Sequence, residues 1–114
     1  VATGRVESAV PYYRHALAMA PEDPRVSHGL AVALHRLNQT QEAIEHYQTA
    51  LASRPEDPEV HNNLGVALAQ LGRFEEAVAH FRRVVELQPE NLGARQNLQR
   101  AMQSMARSSR VDAQ

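Results

Sequence analysis

Histidine, aspartate and glutamate are the side chains here that could do acid–base or metal chemistry, and their spacing decides whether they can. There are six histidines. His28 and His35 stand seven residues apart, on one face of a helix, but two turns separate them by about 10 Å. That is too far for one ion without a third ligand between, so no metal site is expected. His46 and His80 each follow a glutamate by four residues, Glu42 and Glu76, which on a helix makes an ordinary solvent-facing pair. The adjacent acids Glu22-Asp23 and Glu56-Asp57 have the composition of a general acid/base couple. Each directly precedes a proline, Pro24 or Pro58, and that is the arrangement of a capped helix start. There is no glycine-rich phosphate loop and no nucleophile motif, so no catalytic residue and no cofactor is expected. The chain reads as non-enzymatic.

Composition narrows the remaining classes. The 114 residues carry a net charge of −1, which argues against general attraction to nucleic acid or anionic lipid. Arg82-Arg83 is the basic doublet of the helical region, and Glu86, four residues beyond Arg82, is its expected partner. No basic stripe with interleaved aromatics supports nucleic-acid binding. Cysteine is absent, which removes disulfides and thiolate metal sites and leaves the compartment open, cytoplasmic or periplasmic. All 12 basic residues are arginine; with the alanine content this suggests a GC-rich coding sequence and a bacterial source. No stretch approaches the roughly 20 apolar residues of a membrane span.

The elements that must position any site follow from an internal repeat. Pro21, Pro55 and Pro89 stand 34 residues apart. The same period carries Leu30, Leu64 and Leu98, the alanines Ala9, Ala43 and Ala77, the rings Tyr13, Tyr47 and Phe81, and Ala16, Ala50 and Val84. Such a period is the mark of stacked helix–turn–helix units, each covering the apolar face of the next. Apolar spacing and caps predict helices over 6–19, 24–37, 40–53, 58–71, 74–87 and 92–106, an all-α fold. Asp23, Asp57 and Asn91 are the expected caps. Gly4, Asn38 and Gly72 hold the places where a first helix should end in a left-handed residue. The chain divides into a partial repeat at 1–23 with a second helix only, repeats at 24–57 and 58–91, a capping helix at 92–106 and a polar tail at 107–114 expected to be disordered. With 23, 34 and 34 residues in the first three parts and 23 in the capping helix and tail together, it reads as a fragment cut from a longer protein.

Asn63-Leu64-Gly65, Leu68, Gly72, Phe74, Ala77, Phe81 and Pro89 make the chain resemble the tetratricopeptide repeat family. Leu30, Ala31, Leu34, Asn38, Ala43, Tyr47, Ala50 and Pro55 repeat the pattern one unit earlier. Ser27 and His61 depart from it, standing where the family often has Trp, and Gln99 replaces a small residue in the last helix. The resemblance implies a right-handed α-solenoid whose concave groove, lined by first helices, holds peptide segments of partner proteins. Carried over position by position, that groove comprises Arg25, His28, Gly29, Val32, His35 and Arg36; then Glu59, Asn62, Asn63, Val66 and Gln70; then Gln96, Asn97, Arg100 and Gln103. Asn63 and Asn97 would form an amide ladder to a peptide backbone, since each amide both donates and accepts, and Gly29 interrupts it. A second family mode clamps a terminal carboxylate between lysines and asparagines. It is not expected, because lysine is absent and Val32 and Val66 stand where an asparagine would be needed.

Two other readings belong to different classes: a self-assembly scaffold, and the docking arm of a larger enzyme such as a glycosyltransferase. For the first, Val6, Val10, Tyr13 and Leu17 recur at helical spacing on a helix whose preceding partner is missing from the sequence, and such a stripe favours association between copies.

Overall fold

The computed structural model describes residues 2–112, with side chains from Arg5 to Arg110. Six helices follow one another: α1 (Ala2–Met19), α2 (Pro24–Arg36), α3 (Thr40–Ser53), α4 (Pro58–Gln70), α5 (Phe74–Leu87) and α6 (Leu92–Asp112). No strand occurs among the described residues, and none of the helices there is long and apolar enough to cross a membrane.

The helix boundaries come from local chemistry. Asp23 Oδ1 accepts the Arg25 N–H at 3.0 Å, Asp57 Oδ1 accepts the Glu59 N–H at 3.0 Å, and Asn91 Oδ1 accepts the Ala94 N–H at 3.0 Å. Each cap satisfies an amide that the first turn leaves without a helical partner. Asn38 and Gly72 end α2 and α4 with φ of 64° and 76°. The left-handed residue lets the next amide turn back, so the Gln39 N–H reaches the Leu34 carbonyl and the Arg73 N–H the Leu68 carbonyl, both at 2.9 Å.

Gly4 does not share that role. It lies inside α1, which already begins at Ala2. The tail is also corrected: α6 continues to Asp112, so residues 107–112 are helical and only 113–114 lie outside the described residues. No Gly or Pro occurs from Ala94 to Asp112, so nothing interrupts propagation. Ser108 and Ser109 of this extension line a cleft with Gly72 and Phe74 at the start of α5.

The chain forms two compact units, one ending at Val60 and one beginning at His61. In the first, α2 packs on both α1 and α3. Leu30, Ala31, Leu34, Ala43, Ile44, Tyr47 and Ala50 are buried there. Burying a side chain of leucine size is worth about 1.5–3 kcal/mol, and the 34-residue period places such a set in each repeat. In the second unit the same positions are filled by Leu64, Leu68, Ala77, Val78, Phe81 and Val84. There α6 packs on α5, and Ala94 and Ala101 of α6 are buried. Leu92, which opens α6, is 68% exposed.

Small residues set the spacing of the helices. A Cβ placed on Gly65 of α4 would stand 2.7 Å from Phe81 Cε1 of α5, closer than real contacts allow.

Candidate functional site

In the second unit, the α4 and α6 residues named from the repeat register converge on an open cleft of about 320 Å³. Val66, Gln70, Asn97 and Arg100 line it, with Phe74 and Phe81 of α5 as its aromatic wall and Ser104 at its edge. Asn62, Asn63, Val66 and Asn97 are half-buried, while Gln70, Gln96, Arg100 and Gln103 are exposed. The amides are tied together: Asn97 Nδ2 donates to Asn62 Oδ1 at 3.1 Å. In the register Asn97 is the equivalent of Asn63, one repeat on. The observed bond to Asn62 consumes one donor and one acceptor, and leaves Asn97 its carbonyl oxygen and a second N–H. The aromatic wall was not read from the sequence as part of a site. The signal was present in Phe74, which opens α5 where a buried position would not begin.

The first unit carries its own set on α2. His28 and His35, half-buried, flank the Tyr47 ring at centroid distances of 6.0 and 6.4 Å, so they pack against an aromatic and do not converge on an ion. Tyr47 itself is 1% exposed, and burial pushes its phenol up to about 12. Arg25 is held by its own cap residue, Nη2 to Asp23 Oδ2 at 3.3 Å. That hydrogen bond from Arg25 keeps the Asp23 carboxyl below its ordinary value. Val32 and Arg36 line a separate cleft of about 220 Å³ together with Val6 and Tyr13 of α1. Residues assigned to two different roles, groove and self-association, thus share one concavity. Val6, Val10, Tyr13 and Leu17 are half-buried, whereas Ile44 and Tyr47, the counterparts of Val10 and Tyr13 one repeat on, are each 1% exposed. Glu59 is exposed at the start of α4.

Gly29 has a physical cause. A Cβ there would stand 2.5 Å from Tyr13 Cε1; the ring of Tyr13 occupies the space that an asparagine side chain fills at the same register elsewhere.

Two pairings differ from expectation. His80 does not form a solvent-facing pair with Glu76. Its Nδ1 lies 3.0 Å from Nδ1 of His61, which is 8% exposed, and Glu76 is taken by Arg73 through two bonds of 2.9 and 2.8 Å. Burial, then the neighbouring His61, hold the His80 imidazole below its ordinary pKa. Glu86 pairs with Arg83 at 3.2 Å, not with Arg82. The His46–Glu42 pair does form, at 3.8 Å, and Glu42 also holds Arg14 of α1 at 2.7 Å. Among the described residues no group of three or more His, Cys, Asp or Glu is arranged to hold a metal.

The tetratricopeptide repeat family profile matches residues 1–52 and 36–91. The chain belongs to that family. Among solved structures, the first TPR of Spaghetti (RPAP3), bound to the HSP90 peptide SRMEEVD, is 27% identical, with 90% of this chain and 82% of that chain covered at a TM-score of 0.86. The first TPR domain of human RPAP3 is 26% identical over 94% of this chain and 84% of that one, also at 0.86. MamA, at 17% identity, 89% and 59% coverage and a TM-score of 0.85, shows the shared fold alone. No curated protein matches the chain. The fold is therefore the all-α solenoid class of tetratricopeptide repeats.

Proposed function

We propose that this tetratricopeptide chain is a non-enzymatic interaction module that holds a peptide or protein segment against its first helices. The observation that carries the reading is the cleft of the second unit, where an aromatic wall stands beside amides that are pre-positioned by the Asn97–Asn62 bond. Phe74 and Phe81 can take an apolar side chain, while Asn63, Gln70 and Asn97 can bond an extended backbone without demanding one sequence. The α2 residues His28, Val32, His35 and Arg36 are the corresponding surface of the first unit. Spaghetti, 27% identical, is seen with a bound peptide, which supports a partner of this class.

The test uses dodecapeptides selected from a random phage-displayed library. Replacing Asn63 and Asn97 together by Ala should weaken a selected peptide by about 1–3 kcal/mol, the scale of two hydrogen bonds lost from a partly dry site, with helicity unchanged by circular dichroism. Unaltered affinity in that variant, with loss on replacing the exposed Glu45 and Gln48 of α3, would move the site off this surface. A second reading, association of copies through α1, is favoured by the exposure of Val10 and Tyr13 relative to Ile44 and Tyr47.

A further inference from the structure

The cleft between α1 and α2 is polarised along its length. Because the two helices are consecutive and antiparallel, the start of α1 lies beside the end of α2, and the cleft brings Arg5 and Arg36 to one end. Its middle is apolar, formed by Val6 and Ala9 from one helix and Val32 from the other. Its far end is closed by the ring of Tyr13 lying over Gly29. Both arginines are exposed, and among the described residues neither has a carboxylate partner, in contrast to Arg14, Arg25, Arg73 and Arg83, each of which does. At about 220 Å³ the cleft is smaller than the roughly 300–1,000 Å³ of a small-molecule or cofactor pocket. It has room for a side chain.

We infer that this cleft is an anchor site for a partner segment in which an apolar side chain stands beside an aspartate or glutamate: the apolar group enters between Val6, Val32 and the Tyr13 ring, and the carboxylate pairs with Arg5 and Arg36. This rests on the reading of the chain as a peptide-binding module and adds the chemistry that the first unit selects. Two guanidinium groups with no internal counter-charge attract a carboxylate and fork onto its two oxygens. An apolar floor between them and the aromatic end excludes the water that would otherwise screen the pair. The second unit lacks this arrangement. At the repeat positions of Val32 and Arg36 it has Arg100 and Ser104, so its cleft carries one cation beside two phenylalanines, and the two units select different chemistry.

The experiment uses the full chain and the random dodecapeptide library. Selected peptides should be enriched for Asp or Glu adjacent to Leu, Ile, Val, Met or Phe, and synthetic versions should bind at least about tenfold more weakly to the Arg5→Glu, Arg36→Glu double variant, the scale of one charge-assisted contact. Replacing the acid of the peptide by lysine should restore binding to that double variant, a result that general destabilisation cannot produce. Both substitutions lie on exposed side chains, so circular dichroism should be unchanged. Peptides that bind without acidic residues, or that ignore the double variant but lose affinity with Asn63→Ala and Asn97→Ala, overturn this inference and leave the module reading standing. Failure to select any peptide, with a dimer by light scattering that Tyr13→Glu dissociates, overturns both and gives the cleft to a second copy of the chain.

Discussion

Tyr13 lies over Gly29 so closely that a Cβ on the glycine would come within 2.5 Å of the ring. Phe81 stands against Gly65 in nearly the same way, at 2.7 Å, but the two rings differ in freedom. Both rings line open clefts, but Phe81 is only 2% exposed, while Tyr13 is half-buried.

A methyl group therefore separates the two sites. Gly65→Ala should destabilise the chain by about 1–3 kcal/mol, because the overpacked Phe81 has nowhere to go, even though Ala favours the helix by about 1 kcal/mol. Gly29→Ala should be within about 0.5 kcal/mol of neutral or better, since Tyr13 can swing outward and the helix gains propensity. Urea denaturation of both variants checks this; equal destabilisation would show the Tyr13 ring to be as confined as Phe81.

Ser27 is 1% exposed, and its Oγ has no hydrogen-bond partner among the described residues. It holds the repeat position that His61 holds one unit later, where the His80 ring supplies a partner. In the first unit the residue at the position of His80 is His46, and His46 lies toward Glu42. Ser27→Ala removes a buried hydroxyl that nothing satisfies, so it should stabilise the fold by up to about 1 kcal/mol. A midpoint shifted to lower urea would instead show that the hydroxyl is satisfied in solution.

Much of the fold was legible because the repeat states it three times. Leu30 and Leu64 are both fully buried, as expected of positions 34 residues apart, and the caps Asp23, Asp57 and Asn91 act as their types predict. The site was less legible. Register sets Asn63 and Asn97 at equivalent positions, but the bond from Asn97 to Asn62 depends on side-chain direction, which register does not carry. Arg5 joins Arg36 only once α1 and α2 are laid side by side. The His61–His80 contact joins two positions that the register treats separately, and periodicity carries no record of such cross-helix pairs. Helix continuation past Ala106 was missed for another reason: polar residues without Gly or Pro are compatible with either a helix or a tail.

The His61–His80 contact makes the second unit sensitive to acid. A 3.0 Å approach of two Nδ1 atoms requires one ring to donate and the other to accept, so the rings hold opposite tautomers. The His80 pKa is lowered in the fold by burial and by His61, so the unfolded chain, with histidine near about 6.5, takes up the proton first. Stability should be flat above that pH and fall as pH drops through it. His80→Gln should flatten this decline. Thermal unfolding at pH 7.5 and pH 5.0 for both proteins reads the difference; parallel losses would show that other groups govern the acid limb.

Association of copies is the last expectation, and it rests on α1. Val10 and Tyr13 occupy the repeat positions of Ile44 and Tyr47, yet they remain half-buried while those two are 1% exposed. Tyr12 and Met19 add exposures of 70% and 75% on the same helix. An apolar stripe that its own unit leaves uncovered is a surface on which a second copy can gain burial. Light scattering of the peptide-free chain at rising concentration should show a mass above 12.7 kDa, with Val10→Asp or Tyr13→Glu, or a bound peptide that takes the same cleft, returning it to the monomer. A mass that stays monomeric at millimolar concentration removes the expectation. Association that survives both substitutions but not Met102→Asp would place the contact on α6, where Met102 is 42% exposed although its repeat counterparts Leu34 and Leu68 are fully buried. The α6 face is the weaker candidate. Gln99 stands at the register of Ala31 and Gly65, where both units keep a small buried residue, so its long polar side chain disfavours a second helix settling on α6 as α5 settles on α4.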